Sequence, residues 1–461
     1  MRRPYHTTFT LFAVACSVLL AGCHAPPVVL APAPYVMLGE AGRAEYRSVP
    51  DHFKTPYIPI IYWTDRYREE ELKAGRIVYN SKRSPISFHG VVTVAPEDPE
   101  ITWGDVMRYS TIQEAHREVR LEVTDVNQNG NFADMLTQLE IRDGNLIYPE
   151  SAVEQYLVDV EAFNTGMEPW LEEGNDNAAL VFVHGFNNTF DGAAIRLAKT
   201  WHAIGRRAVP ILFTWPAGDD SFKPFAYNHD RESGEFAVQS LKRLLFTLAI
   251  NDRIDRIHLV AHSRGTDIAS TAVREIETEI AAALGNTPFA QVALGKSNDQ
   301  LGESAFGKEP SDITKIETLT LVAADLDFEV FNQRFVANRS GRAARRILIY
   351  TSAKDRALGL SSIFSSSNKR LGRATAEDFD PRERELIGAL PQIEVIECRV
   401  KTKDTHAYLF EHPGTLSDMV LAIRDDLPAG AEHGRPLEPV EPGFWVLTED
   451  YLKPDPAEST D

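Results

Sequence analysis

Cysteine is scarce in this sequence, and its scarcity limits how the chain can be stabilised. The 461 residues include three cysteines: Cys16 and Cys23 near the start, and Cys398. We expect Cys16 to be lost with a leader and Cys23 to be modified, so that no internal disulfide forms and the core must be stable without one. Cys398 lies in the apolar run 393–400, which indicates a buried strand residue.

Motifs for metal and phosphate chemistry are absent as well. The sequence has no His-Glu-x-x-His, no Cys-x-x-Cys and no glycine-rich loop that ends in Gly-Lys-Ser/Thr. Basic residues are few, since 48 Lys and Arg stand against 67 Asp and Glu and give a formal net charge of −19. An acidic surface repels phosphate backbones, so nucleic acid is disfavoured as a partner. We therefore expect no metal and no cofactor.

Long hydrophobic runs are also missing. The apolar run from Leu11 to Leu20 follows Arg2 and Arg3 and is too short to predict a membrane-spanning helix, but it has the layout of a signal peptide. It ends in Leu20-Ala21-Gly22-Cys23, which resembles the bacterial lipobox. The resemblance implies a lipoprotein signal peptide over residues 1–22 and lipidation of Cys23, with an ordinary secretory signal or an uncleaved anchor as alternatives. The implied location is the bacterial cell envelope, on the periplasmic side or the cell surface, with the lipid in a membrane.

The pattern along the chain divides it into segments. Prolines between residues 25 and 34 predict a tether over 23–54, and an N-terminal extension with strands is predicted over 55–150. From about residue 150, apolar runs alternate with amphipathic stretches, which predicts an α/β fold with a mostly parallel sheet and helices on both faces. We assign 151–426 to this domain and 427–461 to an acidic, proline-rich tail. The predicted strands lie at 180–183, 211–213, 257–260, 319–322, 347–350 and 393–396, and the predicted helices at 193–202, 236–249, 268–284 and 328–338.

The stretch 285–311 interrupts this alternation with no clear period. It is interpreted as a tolerated insertion, with a lid or a substrate-facing loop as alternatives.

A candidate nucleophile lies between a predicted strand and a predicted helix. The pentapeptide 261–265, Ala-His-Ser-Arg-Gly, departs from G-x-S-x-G only in its first residue, where alanine replaces glycine. A serine on a tight strand-to-helix turn is exposed to a base and to backbone N–H donors, which makes its hydroxyl a nucleophile. The context therefore predicts that Ser263 is catalytic.

A second motif, His184-Gly185-Phe186, follows the strand predicted before it. Glycine lets a backbone approach a substrate closely. Oxyanion holes of this type combine the N–H of the residue after the nucleophile with an N–H from a loop after an early strand. The matching positions are Arg264 and Phe186, and His184 is expected to order the loop.

Several blocks together resemble a bacterial α/β hydrolase family of unknown function, often described as esterase/lipase superfamily proteins. The similarity extends over residues 55 to 425 and implies an α/β-hydrolase fold with an N-terminal β-containing extension. The blocks are 60–66, 86–90, 184–190, 213–217, Tyr227 with Asp230-Arg231-Glu232, and 258–263.

The acid and the base of a triad should follow later strands in the order serine, acid, histidine. Asp355 matches the family's Ser-x-x-Asp-x-Ala-Leu segment and follows the penultimate strand, so it is favoured over Asp325 and Asp327, which would cap a helix or line the site. His406 lies where the family places His-x-Tyr. His412, which precedes a proline, is the competing base.

His262 neighbours the nucleophile but is expected to point away from it. The residues thus predict a serine hydrolase that cleaves a small acyl ester through Ser263, His406 and Asp355, by way of an acyl-enzyme. Amides and thioesters stay open as substrates, and the sequence does not indicate the oligomeric state. The alternative is a non-catalytic binding or scaffolding lipoprotein on the same fold, which the altered pentapeptide and the charged Arg264 favour.

Overall fold

The computed structural model describes residues 30, 32–70, 75–113, 119–171, 176–218, 223–283, 309–337, 341–364 and 369–454. The predicted signal peptide, Cys23 and most of the predicted insertion at 285–311 lie outside these residues. In the described part of the chain, no helix is long and apolar enough to cross a membrane.

Eleven strands form one sheet at the centre of the molecule. Their order across the sheet is β12-β13-β11-β10-β9-β8-β6-β7-β1-β2-β3. The neighbours from β1 to β13 in this order pair in parallel, whereas β2, β3 and β12 extend the two ends by antiparallel pairing. The strands of this sheet are β1 Ile58–Arg68, β2 Tyr79–Pro96, β3 Leu121–Phe132, β6 Ala178–Val183, β7 Val209–Thr214, β8 Arg256–His262, β9 Ile316–Val322, β10 Ala344–Thr351, β11 Ile393–Arg399, β12 Glu438–Glu441 and β13 Phe444–Thr448; β4 Glu140–Arg142 and β5 Asn145–Ile147 form a separate hairpin.

Helices connect the strands and cover the sheet. Five of the described helices have ten or more residues, and the others are shorter. They are α1 Gly39–Ser48, α2 Trp103–Tyr109, α3 Glu150–Gly166, α4 Phe190–Ala203, α5 Lys223–Ala249, α6 Gly265–Ala283, α7 Pro310–Thr314, α8 Phe328–Phe331, α9 Arg356–Phe364, α10 Pro381–Gly388, α11 Tyr408–Glu411 and α12 Pro413–Met419, with π-helical turns at Asn332–Ala337 and Val420–Arg424.

The sheet is buried on both faces. Successive side chains of a strand point to opposite faces. On β1, the ring of Tyr62 packs against Phe190 of α4 at 5.2 Å, and the indole of its neighbour Trp63 donates to Ser240 of α5 at 3.0 Å. Helices therefore lie on both faces, and every residue of β6 and β7 is buried. The predicted α/β fold with a mostly parallel sheet is confirmed.

The N-terminal part of the chain is more ordered than the sequence predicted. Instead of a tether over 23–54, the residues from Tyr35 to Phe53 form helical turns and α1, and Tyr46 of α1 is fully buried with its hydroxyl bonded to His202 O at 2.9 Å. The cluster of prolines before α1 ends at Pro34, so it does not prevent the later apolar residues from packing. The predicted extension contributes β1, β2 and β3 to the main sheet.

The predicted C-terminal tail also adds to the sheet. Its strand β13 pairs in parallel with β11. Arg435 is fully buried and pairs with Asp418 at 2.8 Å and with Glu394. A buried cation requires such partners, so this network ties residues after 427 to the core.

The topology places several loops together. Loops that follow parallel strands emerge at the same edge of a sheet, the edge at their carboxyl ends. Here those loops follow β6, β8, β10 and β11 and carry the two motifs, Asp355 and His406.

Candidate active site

Ser263 lies on a sharp turn between β8 and α6. Its φ is +54°, in the left-handed region that serine rarely adopts. Its N–H donates to Val322 O at 2.9 Å, and its carbonyl accepts from Thr266 Oγ1 at 2.6 Å. The turn is thereby fixed between the neighbouring strand and the first turn of the helix, as the strand-to-helix context predicted.

The loop after β6 approaches this turn closely. A Cβ on Gly185 would lie 2.7 Å from Ser263 Cβ, closer than real side chains pack. The backbone N–H groups of Phe186 and Arg264 donate no hydrogen bond to any other described residue. Two free donors next to a serine can bind an oxyanion.

His184 is held in one neutral form beneath this loop. Its Nε2 accepts from Trp215 N at 3.2 Å and faces Arg66 Nη2 at 3.3 Å, so Nδ1 carries the proton and donates to Gly185 O at 2.9 Å. Burial, together with the Arg66 charge, lowers the pKa of His184 well below its ordinary value. The ring also stacks on Trp215, and these contacts support its expected role in ordering the loop.

Arg66 is a site residue for which the sequence predicted no role. It is fully buried and donates to Asn188 O and Ala217 O, each at 2.7 Å, and to Thr214 Oγ1 at 2.9 Å. Burial lowers the pKa of its guanidinium to about 10. Arg66 appeared only in block 60–66 of the family resemblance, and the carbonyls that it binds belong to loops far away in the sequence.

Asp230 on α5 is a second site residue that appeared only in a block of the family resemblance. It accepts from Asn187 N at 2.9 Å and from Gly218 N at 3.3 Å. Asn187 has a φ of +55°, so this carboxylate holds a left-handed residue in the loop after β6, as the surroundings of Ser263 do in the turn after β8. Burial raises the pKa of Asp230. The sequence alone does not reveal this role of Asp230, because the role depends on two backbone N–H groups and every residue except proline has one.

Asp355 and His406 come together at the carboxyl edge. His406 Nδ1 lies 2.7 Å from Asp355 Oδ2, and Asp355 is fully buried while His406 is partly exposed. The second oxygen of Asp355 accepts from Leu358 N at the start of α9. The carboxylate is therefore fixed by the helix and can orient the imidazole.

His406 also packs beside His262, the residue that precedes Ser263. The rings of His262 and His406 are 4.8 Å apart between centroids. Among the described residues, Ser263 Oγ has no hydrogen bond, including none with His406. Hydrogen bonds between catalytic groups are often long without substrate and shorten when it binds.

The alternative acids and the alternative base have other contacts. Asp325 accepts from Ser361 Oγ at 2.7 Å and Tyr227 OH at 3.2 Å and pairs with Arg370. Among the described residues, its side chain does not hydrogen-bond to a histidine, although its N–H donates to Ser263 O. Asp327 caps α8, and His412 caps α12 through Gly414 N. Of the three candidate acids, all of them described residues, only Asp355 contacts the imidazole of His406.

The described residues contain no cluster of three His, Cys, Asp or Glu side chains that could bind a metal ion.

A sheet of this topology with a serine on a left-handed turn after a central strand is the arrangement of α/β hydrolases. The chain belongs to the family described as alpha/beta hydrolase of unknown function (DUF900), which matches residues 160–422, more than half of the sequence. No curated protein and no solved structure matches it. The membership confirms the resemblance and the predicted fold class, and it supports hydrolase chemistry.

Asp65 is a buried carboxylate next to Arg66 on β1. Neither of its oxygens accepts a hydrogen bond from another described residue. Burial raises the pKa of Asp65 to about 7, although the charges of Arg66, Arg243 and Arg83 act in the opposite direction. Ionisation of this carboxyl therefore destabilises the folded chain.

We predict that Asp65→Asn removes part of the decrease in folding stability between about pH 4 and pH 7. The folded-state pKa is raised, so the stability contributed by the protonated carboxyl is complete below the unfolded pKa and is lost as the pH rises to about 7. The loss is on the order of 4 kcal/mol at most. Urea unfolding across this range measures it, with the exposed Asp252→Asn as a control that follows the wild type. An Asp65→Asn variant with the wild-type slope would contradict the assignment.

Proposed function

We propose that the protein is a serine hydrolase that cleaves a small acyl ester through an acyl-enzyme. The observation that carries the proposal is the combination of Ser263 on its left-handed turn with the 2.7 Å contact between Asp355 and His406 at the same edge of the sheet. Family membership supports hydrolase chemistry in general, and the ester substrate and the triad are the further step that we take.

In the proposed first step, His406 Nε2 takes the proton of Ser263 Oγ as that oxygen attacks the ester carbonyl. Asp355 keeps the proton of His406 on Nδ1 and stabilises the imidazolium that forms. The tetrahedral intermediate then collapses, the bond to the alkoxide breaks, and His406 protonates the leaving alcohol. Water attacks the acyl-enzyme by the same route and releases the acid.

The negative charge of the tetrahedral intermediate would be stabilised by the N–H groups of Phe186 and Arg264. Such donors are effective when they are oriented before the reaction. Arg66, His184 and Asp230 bind backbone groups of the loop that carries Phe186. The loop therefore loses most of its conformational freedom during folding and little of it when a substrate binds.

The alternative is a binding or scaffolding protein that uses the same fold without turnover. The absence of a hydrogen bond from Ser263 Oγ to His406 in the described residues favours it. The two functions differ in the reactivity of Ser263, so the same experiments separate them.

We further propose that Cys23 is lipidated and that the chain is anchored to a membrane of the bacterial cell envelope. The support is the sequence alone, namely the short apolar run and Leu20-Ala21-Gly22-Cys23. Cells fed an azide-bearing fatty acid should label the wild type, and its mature form should begin at residue 23 by mass spectrometry. Cys23→Ser should lose the label, and equal labelling of both chains would exclude this anchor.

We predict that Ser263→Ala lowers the hydrolysis of p-nitrophenyl acetate and butyrate by roughly 10⁴-fold or more, because no other group supplies the nucleophile. Labelling by a fluorophosphonate probe should be lost as well. Ser270→Ala, about two turns further along the chain in α6, is the matched control and should keep both signals. A wild type that is inactive on all esters and unlabelled, yet folded, would favour the scaffold.

We predict that Asp355→Asn lowers kcat by about 10³- to 10⁴-fold, because an amide no longer holds the reactive tautomer of His406. Asp327→Asn changes the cap of α8 and should leave kcat near the wild-type value, with at most about 1 kcal/mol lost in stability. Steady-state kinetics with p-nitrophenyl acetate measures kcat for both variants. A larger loss for Asp325→Asn than for Asp355→Asn would reassign the acid.

A further inference from the structure

The side chain of His262 connects the turn of the nucleophile with the loop of the base. His262 directly precedes Ser263, and its Nε2 lies 3.1 Å from His406 O. Its ring packs against the ring of His406 at 4.8 Å and that of Phe410 at 5.4 Å. The ring is buried, with 4% of the residue exposed, so these contacts hold it from several sides.

The contact with His406 fixes the tautomer of His262. A carbonyl oxygen can only accept, so Nε2 carries the proton and donates it. Nδ1 is then an unprotonated acceptor, and it has no partner among the described residues. Burial, reinforced by the nearby His406, lowers the pKa of His262 well below its ordinary value. The side chain is thus a neutral donor with one defined role.

We propose that His262 is a positioning residue for the base: its Nε2–H fixes the carbonyl of His406 and its ring limits the rotation of the His406 imidazole. The inference rests on the proposed function, in which His406 takes the proton of Ser263. His262 touches neither the ester nor the transferred proton, so it acts through His406.

The physical reason is that Asp355 alone leaves the base free to move. A hydrogen bond to Nδ1 fixes one point of the ring, and Thr405 Oγ1 accepts from Arg356 N at 3.2 Å and ties the loop to the start of α9. Neither of these two contacts involves the turn of Ser263. The bond from His262 fixes the backbone of that loop relative to the turn of Ser263, because residues 262 and 263 are covalently joined. A misplacement of about 1 Å between reacting groups can lower a rate about 100-fold.

The test compares two substitutions of similar length at this position. Glutamine keeps an N–H donor near the place of Nε2, whereas methionine fills a similar volume without a donor. With p-nitrophenyl acetate, we expect His262→Met to lower kcat by about 10- to 100-fold with KM nearly unchanged, and His262→Gln to recover most of the lost kcat. Thermal unfolding of both variants checks that they are folded.

A merely structural role would lower the stability of both variants and would not lower kcat while KM stays unchanged. Equal kcat values for the wild type and His262→Met, or equal losses for the two variants, would overturn the proposal. Should His262→Met fail to fold, His262→Asn takes its place, since its amide is too short to reach His406 O.

A second measurement is independent of turnover. The proton on His406 Nδ1, bonded to Asp355, should give a downfield proton resonance in the wild type and in His262→Gln, and a weakened or exchange-broadened one in His262→Met. An inactive wild type would refute the proposed function, and this resonance would still decide the positioning role. An unchanged resonance in His262→Met would overturn it.

Discussion

The left-handed backbone at Ser263 is the constraint on which the rest of the site depends. Such a conformation costs a serine on the order of 1–3 kcal/mol and persists only when its surroundings hold it. Here β8 is paired on both sides, with β6 and β9, and Ser263 N–H is bound to the end of β9. The central position of the strand makes this strain tolerable, and the lack of a Cβ at Gly185 lets the second loop close over it.

Much of this arrangement could be predicted because it depends on local patterns. The continuous apolar runs predicted six parallel strands, and each lies within an observed strand. The motif residues follow those strands, so their meeting at one edge comes from the geometry of a parallel sheet. Asp355 was preferred over Asp325 for its place after the penultimate strand, and the contact with His406 agrees with that preference.

The residues that the sequence missed act on backbone atoms. Arg66 binds the carbonyl of Asn188, 122 residues away, and Asp230 binds the N–H of Asn187, 43 residues away. No pattern of side-chain types encodes such partners. The N-terminal helix α1 was missed for a different reason. Prolines before it suggested a tether, whereas its stability comes from burial of Tyr46 against a distant helix. Tertiary packing overrides local propensity in such segments.

The pairing of β1 with β7 has a consequence for folding during synthesis. Ile61 lies opposite Ile211, 150 residues later in the chain. The first three strands therefore have no place to dock until the seventh has been synthesised, and contacts of such long range form slowly. Until then β1, β2 and β3 are exposed strands that could pair with other chains. The interval between synthesis of β3 and of β7 therefore exposes the first third of the chain to aggregation.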